Sequence, residues 1–410
     1  MLERNLLSVA DALAGVLAQA RPLPRETVPL ADALGRTLAA DLAATRTQPP
    51  KAVSAMDGYA VRAADVATLP ATLALIGQSA AGHGFDGTVK AGETVRIFTG
   101  APLPDGADAI LIQEDAEADG DRICAQAVAT QGRHVRAAGL DFKQGERLLA
   151  AGTRLGPAEL ALAAAMNHPT LPVARRPRVA ILATGDELVR PGMAPGPDQI
   201  VASNSFAVAG MVTAAGGTPL DLGIAGDSFE ALQAAIAAAK AAGADVLVTL
   251  GGASVGDHDL VKPALAKEGM ELGFWRIAMR PGKPLLHGRL GEMAILGLPG
   301  NPVSSIVCAI LFLVPLLRAL AGDPDAAADR SEPALLGAPL KANDQRQDYL
   351  RATLAPGAGL PVATAFPAQD SSLLRVLARA NCLIIRAPHA PPAAAGEPCR
   401  ILRLTATGVF

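Results

Sequence analysis

Acids, hydroxyls and amides recur beside glycine and proline at four places in the second half of the chain. They are TGDEL (Thr184 to Leu188), AGD ending at Asp227, GGASVGDHD (Gly251 to Asp259) and PGNPVS (Pro299 to Ser304). Glycine-rich loops and helix starts offer backbone N–H groups to an anion such as phosphate. Carboxylates nearby repel that anion unless a hard cation lies between them, and Mg²⁺ is held by one or two carboxylates together with phosphate oxygens. Arg276, Arg280 and Lys283, in WRIAMRPGKP, add positive charge close by. The prolines of RPGKP stiffen the segment and suit it to a positioned phosphate contact. The residues point to Mg-dependent chemistry on a phosphorylated or nucleotide-linked small molecule. No H-E-x-x-H or Walker A sequence is present, and the six histidines form no ligand cluster.

Each stretch also has a plain structural reading. TGDEL suits a turn followed by acids in a first helical turn. Asp227 can simply precede Ser228, a helix cap, and Asp257 and Asp259 can cap the helix after them. GGASVG alone is a weak signal, and the three cations can be solvated surface. Asn301 is a good N-cap, and Pro302 then takes the first helical position, where its missing N–H has no intrahelical partner. A helix begun in this way presents its free first-turn amides to an anion. What singles the region out is that such residues coincide at every strand end.

Those ends are set by an alternation of strands and helices. RVAILAT, PLDLGI, DVLVTL and AILGL read as strands; SFAVAGMVTAAGG, SFEALQAAIAAAKAAG, DLVKPALAKEG and the apolar run after Asn301 read as helices. The pattern predicts a doubly wound parallel sheet, whose ligands bind beyond the carboxyl ends of the strands. FWRIAMRPGKPLLHG interrupts it as a hairpin-like segment. Upstream, residues 46–140 carry short β-prone runs (TLALIG, TVRIFTG, DAILIQED) and predict a small β-rich domain, followed by a short helix in GPAELALAAAMNH. After Pro324, short strands with turn signals predict a small all-β domain. LLSVADALAGVLAQA, with Ser8 three residues before Asp11, reads as an amphipathic helix and not as a signal peptide. The apolar run 303–317 is shorter than a membrane span and reads as a buried helix.

The chain has 410 residues, a net charge of −3 and four scattered cysteines without a C-x-x-C pair. That length implies several domains. The charge supplies no field for nucleic acid or an acidic membrane, and the cysteines suit a reducing, cytoplasmic setting without a zinc site or disulfide framework.

In order, SAMDGYA (54 to 60), RIFTGAPLP (96 to 104), ATGDEL (183 to 188), GGASVGDHD, RPGKP (280 to 284) and GLPGNPVS (297 to 304) closely resemble the molybdopterin molybdenumtransferases, which include the bacterial MoeA proteins and the gephyrin E domain. The resemblance covers nearly the whole chain. It implies a multidomain α/β protein: a doubly wound molybdopterin-binding domain at 174–322, a β-rich lid at 46–139, a small α+β linking domain split between 1–45 and 140–173, and a C-terminal β domain at 323–410. It implies a homodimer that inserts molybdate into adenylylated molybdopterin with Mg²⁺, releasing AMP. An upstream adenylyltransferase and molybdoenzyme chaperones are its implied partners. By position it marks Asp57 and Thr99 in the lid, Arg136 and Asp141 beside it, and the crevice acids Glu187, Asp227 and Asp259, with Asp257 as a further metal ligand. Thr184, Gly251, Gly252, Ser254, Arg276, Arg280, Lys283, Pro299, Asn301, Pro302 and Ser304 are implied substrate contacts. The sequence departs from the family's pattern at Lys51 to Val53, at Ala137, Ala138 and Leu140, and in carrying arginine for lysine at 276 and 280. An adenylyltransferase and a gephyrin-like scaffold are the competing readings.

Overall fold

The computed structural model describes residues 6–252 and 260–404. Its largest unit is the sheet expected after residue 175. In spatial order its strands are Thr218–Ala225, Arg178–Thr184, Val246–Leu250, Met293–Leu298, Leu286–Leu290 and Glu271–Trp275. The first four are parallel to one another, and the last two run antiparallel at one edge.

Both faces of this sheet are covered, which explains why its strands are apolar throughout instead of alternating. Val179, Ile181, Val246 and Val248 face one core, with Val208, Met211, Val303 and Phe312 from the helices Asn204–Ala214 and Pro302–Leu320. Ala180, Leu182 and Leu247 face the other, with Leu232, Ile236 and Leu265 from the helices Phe229–Ala241 and Val261–Lys267. Ser228 caps the first of these two, accepting from the Ala231 N–H at 3.2 Å.

The helix Pro302–Leu320, with a mean hydropathy of 2.3, is long and apolar enough to cross a membrane, but 78% of it is buried in the protein. It widens into a π turn at Ala309–Leu313. Pro315, two residues on, has no N–H for the Leu311 carbonyl and its ring would crowd that oxygen, so the helix opens there. Ser8 caps the helix Val9–Leu17, accepting from the Asp11 N–H at 3.0 Å. This helix packs through Ala12 and Val16 into the core around Phe312 and Leu317. It therefore sits against the α/β unit and not among the neighbouring segments Arg25–Pro29 and Leu42–Ala43, which pair with Thr170–Ala174 and Arg147–Leu149.

The β-rich segment is a six-stranded sheet whose central Gly58–Val61 and Glu93–Ile97 strands are antiparallel neighbours. The C-terminal strands close into a barrel: Gln347–Ala355 pairs with Val362–Ala365 on one side and with Cys382–Arg386 on the other. A short helix, Leu374–Arg379, is added to the expected all-β pattern. FWRIAMRPGKPLLHG is only partly the expected hairpin. Its flanks pair with each other, but Met279–Arg280 leaves to join Gln347–Asp348 of the barrel in parallel.

Candidate functional site

From Arg178–Thr184 the chain winds outward to Thr218–Ala225, then crosses back to Val246–Leu250 on the other side of the first strand. The strand order reverses there, which opens a crevice at the strands' carboxyl ends. A cavity of about 670 Å³ occupies it.

Thr184, Glu187, Asp227, Gly251, Gly252, Pro299, Asn301 and Pro302 all line this cavity. The main chain at Gly252 has φ +62°, and a Cβ there would lie 2.2 Å from Val261 Cγ2, so no other residue fits. Two acids, Glu187 and Asp227, meet in the cavity. Asp186, not singled out from the sequence, accepts from the Asp227 N–H at 3.1 Å and fixes that loop. Ser254, Asp257 and Asp259 lie outside the described residues. Among the described residues no group of three or more His, Cys, Asp or Glu is gathered. Two carboxylates in a cavity rich in amides and hydroxyls still fit Mg²⁺, which needs only one or two from the protein when the ligand supplies the rest.

The PGNP turn differs from expectation. Asn301 is the N-cap residue, but its side chain makes no cap bond; its amide donates instead to Ser371 Oγ at 3.0 Å. The Val303 N–H donates to the Ser371 carbonyl at 3.0 Å, so one first-turn amide is already taken. Asn204 holds the turn from the other side, donating to the Gly300 carbonyl at 2.7 Å. Ser371 and Ser372 belong to the barrel, and Ser372 lines the cavity. Beneath them the buried Arg351 guanidinium donates to the Asp370 carbonyl at 3.0 Å. Leu188, Ile200 and Val201 make an apolar wall, while Ser203, Asn204 and Ser205 add polar groups. The run VASNS carried a signal for these last three in its clustered hydroxyls and amide. Nothing local marked Ser372.

Other expected residues stand apart. Ser304 is buried and does not line the cavity; Arg276, Arg280 and Lys283 do not line it either, although Pro284 does. Arg280 is committed elsewhere: its guanidinium pairs with the buried Asp348, with Asp344 Oδ2 at 3.3 Å and with Asn343 Oδ1 at 3.2 Å, all in the barrel segment. Its guanidinium is thus engaged by two carboxylates and an amide oxygen of the barrel segment, and not by the cavity where a phosphate contact was expected.

No lid residue lines the cavity. Asp57 and Thr99 pair with each other. The Thr99 N–H and hydroxyl donate to Asp57 Oδ1 at 2.7 and 2.8 Å, and with Arg96 they hold that carboxyl below its usual range. Gly58 follows because a Cβ there would lie 2.1 Å from the Leu111 carbonyl oxygen. Arg136 is exposed on a two-residue ribbon opposite Val53, and the Ala55 N–H donates to the His134 carbonyl at 2.8 Å. Asp57 and Arg136 thus lie on neighbouring segments of this β-rich region. Asp141 is exposed, with its N–H donating to the Gln48 carbonyl at 3.0 Å, and Leu140 beside it is 63% exposed.

Three family profiles match the chain in order: "MoeA N-terminal region (domain I and II)" over residues 7–167, "Probable molybdopterin binding domain" over 180–319 and "MoeA C-terminal region (domain IV)" over 333–404. A relative from Mycobacterium tuberculosis called molybdopterin molybdenumtransferase 2 is 37% identical, with 98% of this chain and 100% of that one covered. A molybdopterin molybdenumtransferase from Nostoc is 40% identical over 72% of this chain and 70% of its own. A crystal structure of the molybdopterin biosynthesis MoeA protein of Pyrococcus horikoshii superposes with a TM-score of 0.82 at 30% identity, covering 98% of this chain and 100% of that one.

Proposed function

Because the chain belongs to the molybdopterin molybdenumtransferase family, a family of transferases of molybdenum cofactor biosynthesis, we propose that it inserts molybdate into adenylylated molybdopterin in a Mg²⁺-dependent reaction that releases AMP. The observation that carries the reading is the meeting of Glu187 and Asp227 with the Gly251–Gly252 turn and the PGNP turn in one cavity at the switch point. Glu187 and Asp227 would hold the cation, together with Asp257 and Asp259, which follow Gly252 in the chain. When bound, Mg²⁺ supplies charge neutralisation for the phosphate linkage. Backbone amides of the two turns and the hydroxyls of Thr184, Ser203, Ser205 and Ser372 orient the oxyanions, and the Leu188–Ile200–Val201 wall keeps water from the flat pterin.

The Asp57–Thr99 pair stands apart from the cavity of its own chain, and we assign it to the cavity of a second copy in a two-fold dimer. The divisions of the chain at 46, 140, 174 and 323 belong to the same proposal. An adenylyltransferase would not need the lid and barrel, and a scaffold would not need paired acids in a cavity.

The test supplies purified protein with adenylylated molybdopterin, Mg²⁺ and molybdate, and measures AMP. Molybdate-stimulated release is expected, reduced about 100-fold or more in Glu187→Gln and Asp227→Asn if these acids hold the cation. Absence of release from the wild-type protein overturns the reading.

A further inference from the structure

The chain has a single tryptophan, Trp275, on the antiparallel edge strand. Two cations are held over its ring: Lys262 Nζ lies 4.0 Å and Arg276 Cζ 4.3 Å from the centroid. Among the described residues neither cation has a carboxylate partner, and Arg276 Nε is buried without a hydrogen-bond partner. Arg276 also holds φ +86°, a conformation that costs energy for a side chain of its size. Their separation cannot exceed the sum of their distances to the ring centroid, so the two charges sit within about a Debye length and their repulsion is only partly screened. An indole face positions a cation without neutralising it. A carboxylate partner would have cancelled the charge. Among the described residues, this arrangement leaves both charges without a carboxylate.

The cluster is tied to the cavity through its neighbours in the chain and is not itself part of the lining. Val261, next to Lys262, packs against Gly252 of the cavity rim. Trp275 lies opposite Leu286, two residues from the lining Pro284, and the Arg276 N–H donates to the Leu285 carbonyl at 3.1 Å.

We propose that Lys262 and Arg276, held over Trp275, form an oxyanion-binding shelf beside the cavity that takes the adenylyl phosphate of the substrate. The proposal rests on the transferase reading for the identity of that phosphate. An oxyanion shared between the two cations relieves their repulsion. A phosphate tethered to the substrate fits a shelf outside the main cavity, whereas molybdate must reach the reacting thiols.

The test is calorimetric titration with AMP of wild-type protein and the variants Lys262→Met, Lys262→Arg and Lys240→Met, with Trp275 emission followed in the wild type. Lys240 pairs with Glu268 on the surface and serves as the control. AMP should perturb Trp275 emission. Its affinity should fall at least tenfold in Lys262→Met, stay within about threefold in Lys262→Arg and be unchanged in Lys240→Met. Unchanged AMP affinity in Lys262→Met, or no emission change with AMP, overturns the shelf. Emission that responds to molybdate alone, through Lys262, overturns its assignment to the adenylyl phosphate. The titration needs no turnover. A wild-type protein that binds AMP through Lys262 but releases none from substrate refutes the transferase reading alone. Normal turnover and KM in Lys262→Met refute the shelf alone.

Discussion

Arg280 stands where a phosphate contact was expected, and its ion pairs give a direct way to separate anchoring from binding. Asp348 is buried, and its Oδ1 has no hydrogen-bond partner, so Arg280 on its other oxygen supplies much of what keeps that carboxylate tolerable. Removing one partner of a buried pair costs about 3–5 kcal/mol. Arg280 itself is 46% exposed, so water enters the space it leaves and the cost falls to about 2 kcal/mol. The bonds to Asp344 and Asn343 are half exposed and add only about 0.5 kcal/mol between them. Arg280→Ala should therefore lose about 2–3 kcal/mol, Asp348→Asn less because the amide carries no charge, and the double variant should show a coupling of about 1–2 kcal/mol. Urea unfolding followed by Trp275 fluorescence and by circular dichroism reads all four corners of the cycle. Coupling below about 0.5 kcal/mol, together with a raised KM for substrate in Arg280→Ala, would refute the anchoring argument and return Arg280 to the ligand.

Gly252→Ala should destabilise by about 2–4 kcal/mol, from its left-handed backbone and from overlap with Val261; adding Val261→Ala should recover part of the loss, and strictly additive effects on unfolding would contradict the close contact. Mixing Asp57→Ala with Asp227→Ala after dissociation should restore part of the activity if one site draws on two chains, and no recovery at any ratio of the two removes the shared-site proposal. Asp344 is held down to about 2 by the side-chain and then the backbone N–H of Arg346, below its ordinary 3.8. A depressed carboxyl stabilises the fold fully above the ordinary value and loses that contribution as pH falls toward the lower one. The barrel should therefore weaken between about pH 4 and pH 2, and Asp344→Asn should flatten that part of the pH–stability curve.

The α/β unit was legible because its information is local. RVAILAT and DVLVTL are apolar on both faces, Ser228 precedes a periodic helix, and glycine, proline and acids mark the strand ends. That Glu187 and Asp227 line one cavity followed from where parallel strands place their carboxyl ends. What escaped depends on contacts far apart in the chain. Arg280 reads the same whether it faces phosphate or Asp348. Asn301 has the type of an N-cap, but its amide nitrogen donates to the Ser371 hydroxyl and the Val303 N–H a cap would accept from goes to the Ser371 carbonyl. Ser372 reaches the cavity only because the barrel leans on the PGNP turn. The segment Met279–Arg280 looked like the middle of a hairpin because its true partner, Gln347–Asp348, is remote in sequence.

The placement of the helix Val9–Leu17 bears on how the chain matures on the ribosome. The helix is made before the sheet it joins, but its apolar side rests on the Pro302–Leu320 helix, and the Leu23 N–H closes onto the Leu320 carbonyl at 2.8 Å. Its docking surface emerges on the order of 300 residues later, which at about 5–20 residues per second is a wait of roughly 15–60 s. Throughout that interval Val16 and its neighbours are without their cover while the β-rich segment and the first strands of the sheet fold downstream. A pause in synthesis before residue 302 lengthens that exposure and would change the yield of native protein without touching any residue of the crevice.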